Sequence, residues 1–181
     1  MRAPLLFVSS NASKVHEVGA MLGAPVEQLD LDLPEIQALD VDDVARHKAV
    51  TAFERAGRPV MVEDTGLYIE ALRGLPGALV RWFLATIGPG GICDLIPAGA
   101  DRAARARTIV AYCDGGTVQL FSGETSGVIV AAPTGQGGFG WDSIFQPVGA
   151  TGTFAEMEMA EKRIYSMRRR SLEQLRERLA P

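Results

Sequence analysis

Leu5-Leu6-Phe7-Val8 is a short, unbroken apolar run followed at once by Ser9-Ser10-Asn11 and then by a stretch whose Val15, Val18, Ala20 and Leu22 fall mostly on one side of a helix. A run this short and apolar suits a buried strand, and Ser and Asn satisfy the free N–H groups of a helix start. The opening therefore predicts a strand, a loop and a helix from about Ala12 to Leu22. A loop rich in Asp, Leu and Pro (Leu29 to Asp40) leads to a second helix over about Val41 to Ala56, where Ala45, Ala49, Ala52 and Ala56 make a close-packing stripe. Gly57-Arg58-Pro59 stops it, and Val60-Met61-Val62 forms a second strand that is expected to give way to a turn at Glu63-Asp64. Beyond lie a short strand at Tyr68 to Leu72, a turn at Gly74 to Gly77, and a helix from about Ala78 to Ile87 that Gly88-Pro89-Gly90-Gly91 breaks.

The second half changes character. Thr108 to Cys113 and Thr117 to Phe121 flank Asp114-Gly115-Gly116, the pattern of a hairpin, and Thr125 to Ala132 extends the meander. A glycine-rich loop, Gly135 to Gly140, and a charged helix from about Ser166 to Leu179 complete the chain. The expected class is α/β with a mixed sheet. With 181 residues, 47% of them hydrophobic and 22% charged, one ordinary core and a single domain over 1–181 are expected.

Several functions are disfavoured by composition. No apolar run approaches the ~20 residues of a membrane helix. No signal-type segment precedes the first strand, so the expected location is cytoplasmic. Cys93 and Cys113 have no partner at metal spacing and read as buried free thiols. A net charge of −4 argues against broad electrostatic binding of nucleic acid. His16 and His47 lie on helices without a second metal-type partner and read as surface or packing residues.

The adjacent carboxylates Glu63 and Asp64 carry the chemical argument. Asp is ordinary in a turn before glycine. In open α/β sheets, however, ligands gather beyond the carboxyl ends of strands, and neighbouring carboxylates there repel unless a cation or proton intervenes. Mg2+ suits the place, because it is usually shared between one or two carboxylates and substrate phosphates. A phosphate partner also accounts for Lys14, a cation in the first turn of a helix, where acidic residues are normally favoured. Ser9, Ser10, Asn11 and Lys14 together would cradle a polyphosphate. The same conflict of charge recurs where the last helix opens with Arg168-Arg169-Arg170. Gly137-Gly138-Phe139-Gly140-Trp141-Asp142 lets backbone approach a ligand, offers aromatic faces, and ends in a carboxylate that can accept from ring N–H groups, which suggests a nucleotide base.

Taken in order, Ser9 to Glu17, Leu33-Pro34-Glu35-Ile36-Gln37, Glu63 to Leu67, Gly74 to Gly77, Phe139 to Asp142, and Ala155-Glu156-Met157 with Glu161-Lys162 resemble the inosine triphosphate pyrophosphatase family over nearly the whole chain. The resemblance implies an elongated mixed β-sheet flanked by helices, two lobes with a central nucleotide cleft, and a homodimer. It implies Mg2+-dependent hydrolysis of deaminated purine nucleoside triphosphates (ITP, dITP, XTP) to the monophosphate and pyrophosphate. Carried onto this chain, Asn11, Lys14 and Lys48 would hold the phosphates beside Ser9 and Ser10, with Arg81 at a basic position near them. Glu35 and Asp64 would hold the metal, with Glu63 supporting its shell. Asp64, with Glu63 and Lys14 beside it, would orient or deprotonate the attacking water, giving activity that rises toward alkaline pH. Phe139, Gly140, Trp141, Asp142, Lys162, Ser166, Met167 and Arg168 would build the base pocket.

One position departs from the family pattern. Ser166-Met167-Arg168 stands where Ser-His-Arg is usual, so a thioether replaces a side chain able to hydrogen bond to a base. That leaves the hydrolytic residues untouched but opens one alternative, a pyrophosphatase with altered base specificity acting on another unusual nucleotide; a second, from a different class, is a nucleotide-binding module without turnover, against which Glu35, Glu63, Asp64 and Lys14 argue.

Overall fold

A computed structural model describes residues 4–23 and 25–179. Among these residues, seven strands form one mixed sheet: β1 (Leu5–Val8), β2 (Val26–Leu29), β3 (Val60–Ile69), β4 (Pro76–Gly77), β5 (Ala103–Cys113), β6 (Gln119–Ile129) and β7 (Phe145–Pro147). The order is β2-β1-β3-β5-β6-β7, with β4 also paired to β3. β1 runs parallel to β2 and to β3, whereas β4 is antiparallel to β3 and β7 to β6. β5 and β6 are neighbours joined by only a few residues, too few for the crossover that a parallel pair requires, so they form an antiparallel hairpin. The helices are α1 (Ala12–Leu22), α2 (Val41–Ala56), α3 (Val80–Thr86), α4 (Gly88–Asp94), α5 (Met159–Tyr165) and α6 (Met167–Leu179).

The chain divides into two compact units. One holds the chain up to Asp64, Thr108–Gly123 and the chain from Arg168 onward; the other holds Thr65–Arg107 and Glu124–Met167. In the first, Phe7, Met61, Val110 and Phe121 from the strands pack with Val18, Met21 and Leu22 of α1 and Leu172 and Leu175 of α6. Every one of these is nearly or fully buried, which at about 1.5–3 kcal/mol for a large apolar side chain is the main stabilisation of this unit. Asn11 caps α1 and Asp40 caps α2, and Gly57, at φ 66°, closes α2 in the left-handed conformation that a side chain would resist. The core of the second unit gathers Leu67, Ile69, Ile92, Ile144, Phe145 and Phe154. Cys93 and Cys113 are buried free thiols, as the spacing suggested.

The sequence pattern places β1, α1, α2 and α6 within a residue or so of their observed bounds. Three expectations are corrected. β3 does not turn at Glu63-Asp64 but continues to Ile69, absorbing the separate strand expected at Tyr68. Gly66, which signals a turn, is needed inside the strand because the Tyr68 ring lies against it: a Cβ there would meet the ring at 2.7 Å. Gly88 to Gly91 end α3 but also open α4, where Pro89 sits in the first turn and loses no intrahelical hydrogen bond. Thr125 onward is the second half of β6 rather than a further strand. Among the described residues no helix is long and apolar enough to cross a membrane.

Candidate functional site

Successive residues of a strand point to opposite faces of the sheet, and β3 uses that alternation to separate its two carboxylates. Met61 and Glu63 share a face. Met61 enters the core with α1 and α6, and Glu63 meets cations from the same two helices. Arg168, near the start of α6, closes a fork on it, with Nε 2.5 Å from Oε2 and Nη2 3.0 Å from Oε1. Lys14 of α1 stands 3.3 Å from Oε1. The third edge of the Arg168 guanidinium pairs with Glu17, also on α1 and also buried. Burial alone would raise the Glu63 pKa, but Arg168 and Lys14 outweigh it and hold the carboxyl at about 2. The misplaced charges of the two helix starts thus have their anions in the protein itself.

Asp64 points the other way, toward α2. Its Oδ2 accepts from Lys48 Nζ at 3.1 Å, and the same ammonium lies 3.0 Å from Glu35 Oε1. Burial pushes the Asp64 carboxyl above the usual range; Lys48 and Lys14 pull it back and Glu35 pushes it up again. Burial opposes the charge of Lys48, yet Asp64 and Glu35 overcome it and hold the lysine above its ordinary value. The two upward shifts are compatible, because one ammonium shared by two carboxylates cannot fully offset both.

At the entrance to α1 the backbone is pinned. Ser9 N–H donates to Leu29 O at 3.1 Å, Ser9 Oγ accepts from Asn11 N–H at 3.2 Å, and Asn11 Oδ1 accepts from Lys14 N–H at 3.1 Å. Ser10 is exposed at the apex of this turn.

A second group lies in the other unit. Asp142 Oδ2 accepts from Phe139 N–H and from Lys162 Nζ, each at 2.8 Å, and the Lys162 ammonium sits 5.1 Å from the centroid of the Phe139 ring. Gly138, at φ 70°, lets the carboxylate come this close; a Cβ would lie 2.3 Å from Oδ2. Trp141 is buried edge-on to Phe145, and Met167 is buried in the same apolar cluster. Gly140 is exposed beside them in the chain, Ser166 is buried, and Arg81 is exposed on α3 with its guanidinium over Trp82.

Of the three carboxylates expected around a metal, the structure gathers Glu35 and Asp64 and sends Glu63 elsewhere, because its oxygens are engaged by Arg168 and Lys14. Arg168, expected against a base, is buried between Glu17 and Glu63. Met167 and Trp141 are core residues of their unit. Glu17 was missed by sequence reasoning, although a carboxylate beside Val18 and four residues before Met21, on the apolar side of α1, is a detectable signal: buried there, it requires a cation.

Glu35 and Asp64 fit a divalent ion. Two carboxylate oxygens from separate segments already converge on a single positive charge, and hard oxygen donors of this kind suit Mg2+. No group of three or more His, Cys, Asp or Glu suited to a metal occurs among the described residues, and Mg2+ does not need one, since it completes its shell with water and phosphate.

Comparison with known proteins shows the family. The Ham1 family model matches residues 5–178. The chain belongs to the Ham1 family. Within it, the chain is 43% identical over 182 residues to an inosine triphosphate pyrophosphatase of Tuber melanosporum, covering 98% of this chain and 97% of that protein. It is 41% identical to a dITP/XTP pyrophosphatase of Methanopyrus kandleri, covering 96% and 94%. Among solved structures, a HAM1 protein from Coxiella burnetii superposes with a TM-score of 0.84 at 25% identity, over 98% of each chain. The mixed α/β sheet with flanking helices is thus the Ham1 fold.

Proposed function

We propose that this Ham1-family chain, acting as one domain, hydrolyses ITP, dITP and XTP to the nucleoside monophosphate and pyrophosphate. The observation that carries the reading is the convergence of Glu35 and Asp64 on one cationic point, next in β3 to a Glu63 that fixes Lys14. The names of the relatives supply the substrate class. Glu35 and Asp64 would hold Mg2+, which would offset phosphate charge and assist the pyrophosphate leaving group.

The remaining steps fall to the chain's own residues. Ser9, Ser10, Asn11 and the free N–H groups of the first turn of α1 bind phosphate oxygens. Lys14 and Lys48 add positive charge where the transition state accumulates negative charge. Asp64 orients a water molecule and takes its proton as the water oxygen bonds to the α-phosphorus. The bond from that phosphorus to the bridging oxygen breaks, and pyrophosphate departs with the bond's electrons. For the base, Phe139 would offer a ring face, and the Asp142–Lys162 pair an acceptor and a donor. Met167 is buried in the core, which supports giving base choice to these groups rather than to the position that usually carries His. A homodimer in the cytoplasm completes the reading.

The test is pyrophosphate release from ITP with Mg2+ and with EDTA. Metal-dependent release is expected, together with a kcat/KM for ITP and XTP above that for dGTP, dATP and UTP. Nucleotide binding without release would point to a non-catalytic module, and a flat profile across bases to altered specificity.

A further inference from the structure

Phosphate charge accounts for a lysine at position 48 but not for its two acidic partners. A lysine meant only for phosphate would be expected to reach into open space, but its Nζ is held by two acidic partners, 3.0 Å from Glu35 Oε1 and 3.1 Å from Asp64 Oδ2. Only 15% of its side chain is exposed, so the ammonium is fixed between the carboxylates rather than sampling solvent. Lys48 enters from α2, Glu35 from the segment before that helix and Asp64 from β3, so one charge ties together three parts of the unit.

We infer that Lys48 is a tethered counter-ion that holds the Glu35–Asp64 pair together before a divalent cation arrives, and that metal entry displaces it. The inference rests on the metal-dependent reading above. A divalent ion held by these same oxygens would share its ligands with the ammonium hydrogen bonded to them, setting two cations side by side. Two cations that close repel strongly where little water screens them, so the two modes of occupancy exclude one another. With Lys48 in place the two carboxylate charges are already offset and an incoming ion must compete for them; without it they keep an uncompensated charge that a divalent ion alone relieves. Displacement leaves a mobile ammonium beside the bound metal, available to phosphate oxygens. The expected sequence is therefore metal first, lysine release second, polyphosphate capture third.

The experiment uses Mn2+ as the probe on the full chain without nucleotide, read by electron paramagnetic resonance, for the native protein, Lys48→Met and Lys48→Arg. Removing the competing charge in Lys48→Met should tighten Mn2+ binding by about tenfold. Lys48→Arg keeps the charge and should bind Mn2+ no more tightly than the native protein. Equal or weaker binding by Lys48→Met, or equal tightening by both variants, overturns the inference. A second readout needs no folded methionine variant: in the native protein, the 15N signal of the Lys48 ammonium, assigned by its loss in Lys48→Arg, should move toward that of a solvated lysine as Mg2+ saturates. A signal unmoved at saturation overturns it equally. Because neither measurement involves nucleotide, lysine displacement without ITP hydrolysis would sink the proposed function alone, and hydrolysis without displacement would sink only this inference.

Discussion

Replacing Arg168 by Met should test the buried charge cluster most severely. The substitution keeps most of the side chain's apolar length but removes the guanidinium that Glu17 and Glu63 share, both nearly inaccessible. Breaking a buried ion pair by deleting one partner costs about 3–5 kcal/mol, since the other charge stays behind. An independent figure comes from Glu63, whose pKa falls from the ordinary 4.5 to about 2 on folding, a shift worth about 3 kcal/mol at neutral pH. A carboxyl depressed in the folded state stabilises above its unfolded pKa, and that contribution fades as pH falls from about 4.5 toward 2. Arg168 is the largest influence holding the Glu63 carboxyl down, with Lys14 second, so Arg168→Met should remove most of this acid-labile stability. Urea unfolding at pH 7 should therefore show a loss of about 3–5 kcal/mol, shrinking steadily between pH 4.5 and 3. Adding Glu63→Gln to the variant should recover part of the loss at pH 7, because no uncompensated charge then remains at that position. A cost below about 1 kcal/mol, or a gap indifferent to pH, would refute the claim that the cluster is dry and paired.

Three further outcomes follow from the geometry. Asp64→Asn should lower the rate of pyrophosphate release from ITP by about 10²–10⁴-fold, as for other lost general bases, while its thermal unfolding stays near that of the native chain. Gly138→Ala should destabilise by about 1–3 kcal/mol in urea, since it combines a positive φ with a Cβ 2.3 Å from the Asp142 carboxylate. Met167→His, which would bring back the more usual family residue, should cost about 1–3 kcal/mol in the same assay, because an imidazole would enter an apolar cluster in which Met167 is only 4% exposed.

Legibility in the sequence followed the range of the interaction concerned. α1 and α2 were readable to the residue because caps, closing glycines and apolar stripes are all local signals. Glu35, Lys48 and Asp64 were singled out, and they do converge, but their motifs gave no hint that the meeting point would be the lysine itself. Gly66 misled because a glycine demanded by a neighbouring ring looks, in one dimension, like a glycine demanded by a turn. The destination of Arg168 was invisible for a different reason: its partners lie 105 and 151 residues earlier in the chain, and no spacing rule spans such separations. Met167 drew notice as a departure from pattern, yet only packing reveals that its thioether belongs to a core.

The opposed orientations of Glu63 and Asp64 have a consequence for how this chain can vary. Because the two residues are told apart only by odd and even position along β3, losing or gaining one residue between Val60 and Val62 would exchange them, presenting the aspartate to Arg168 and Lys14 and the glutamate to Lys48. Point substitutions in that short stretch are damaging by degrees. A change in its length would abolish both arrangements at once, so the parity of three valine and methionine residues guards the chemistry as closely as the carboxylates themselves.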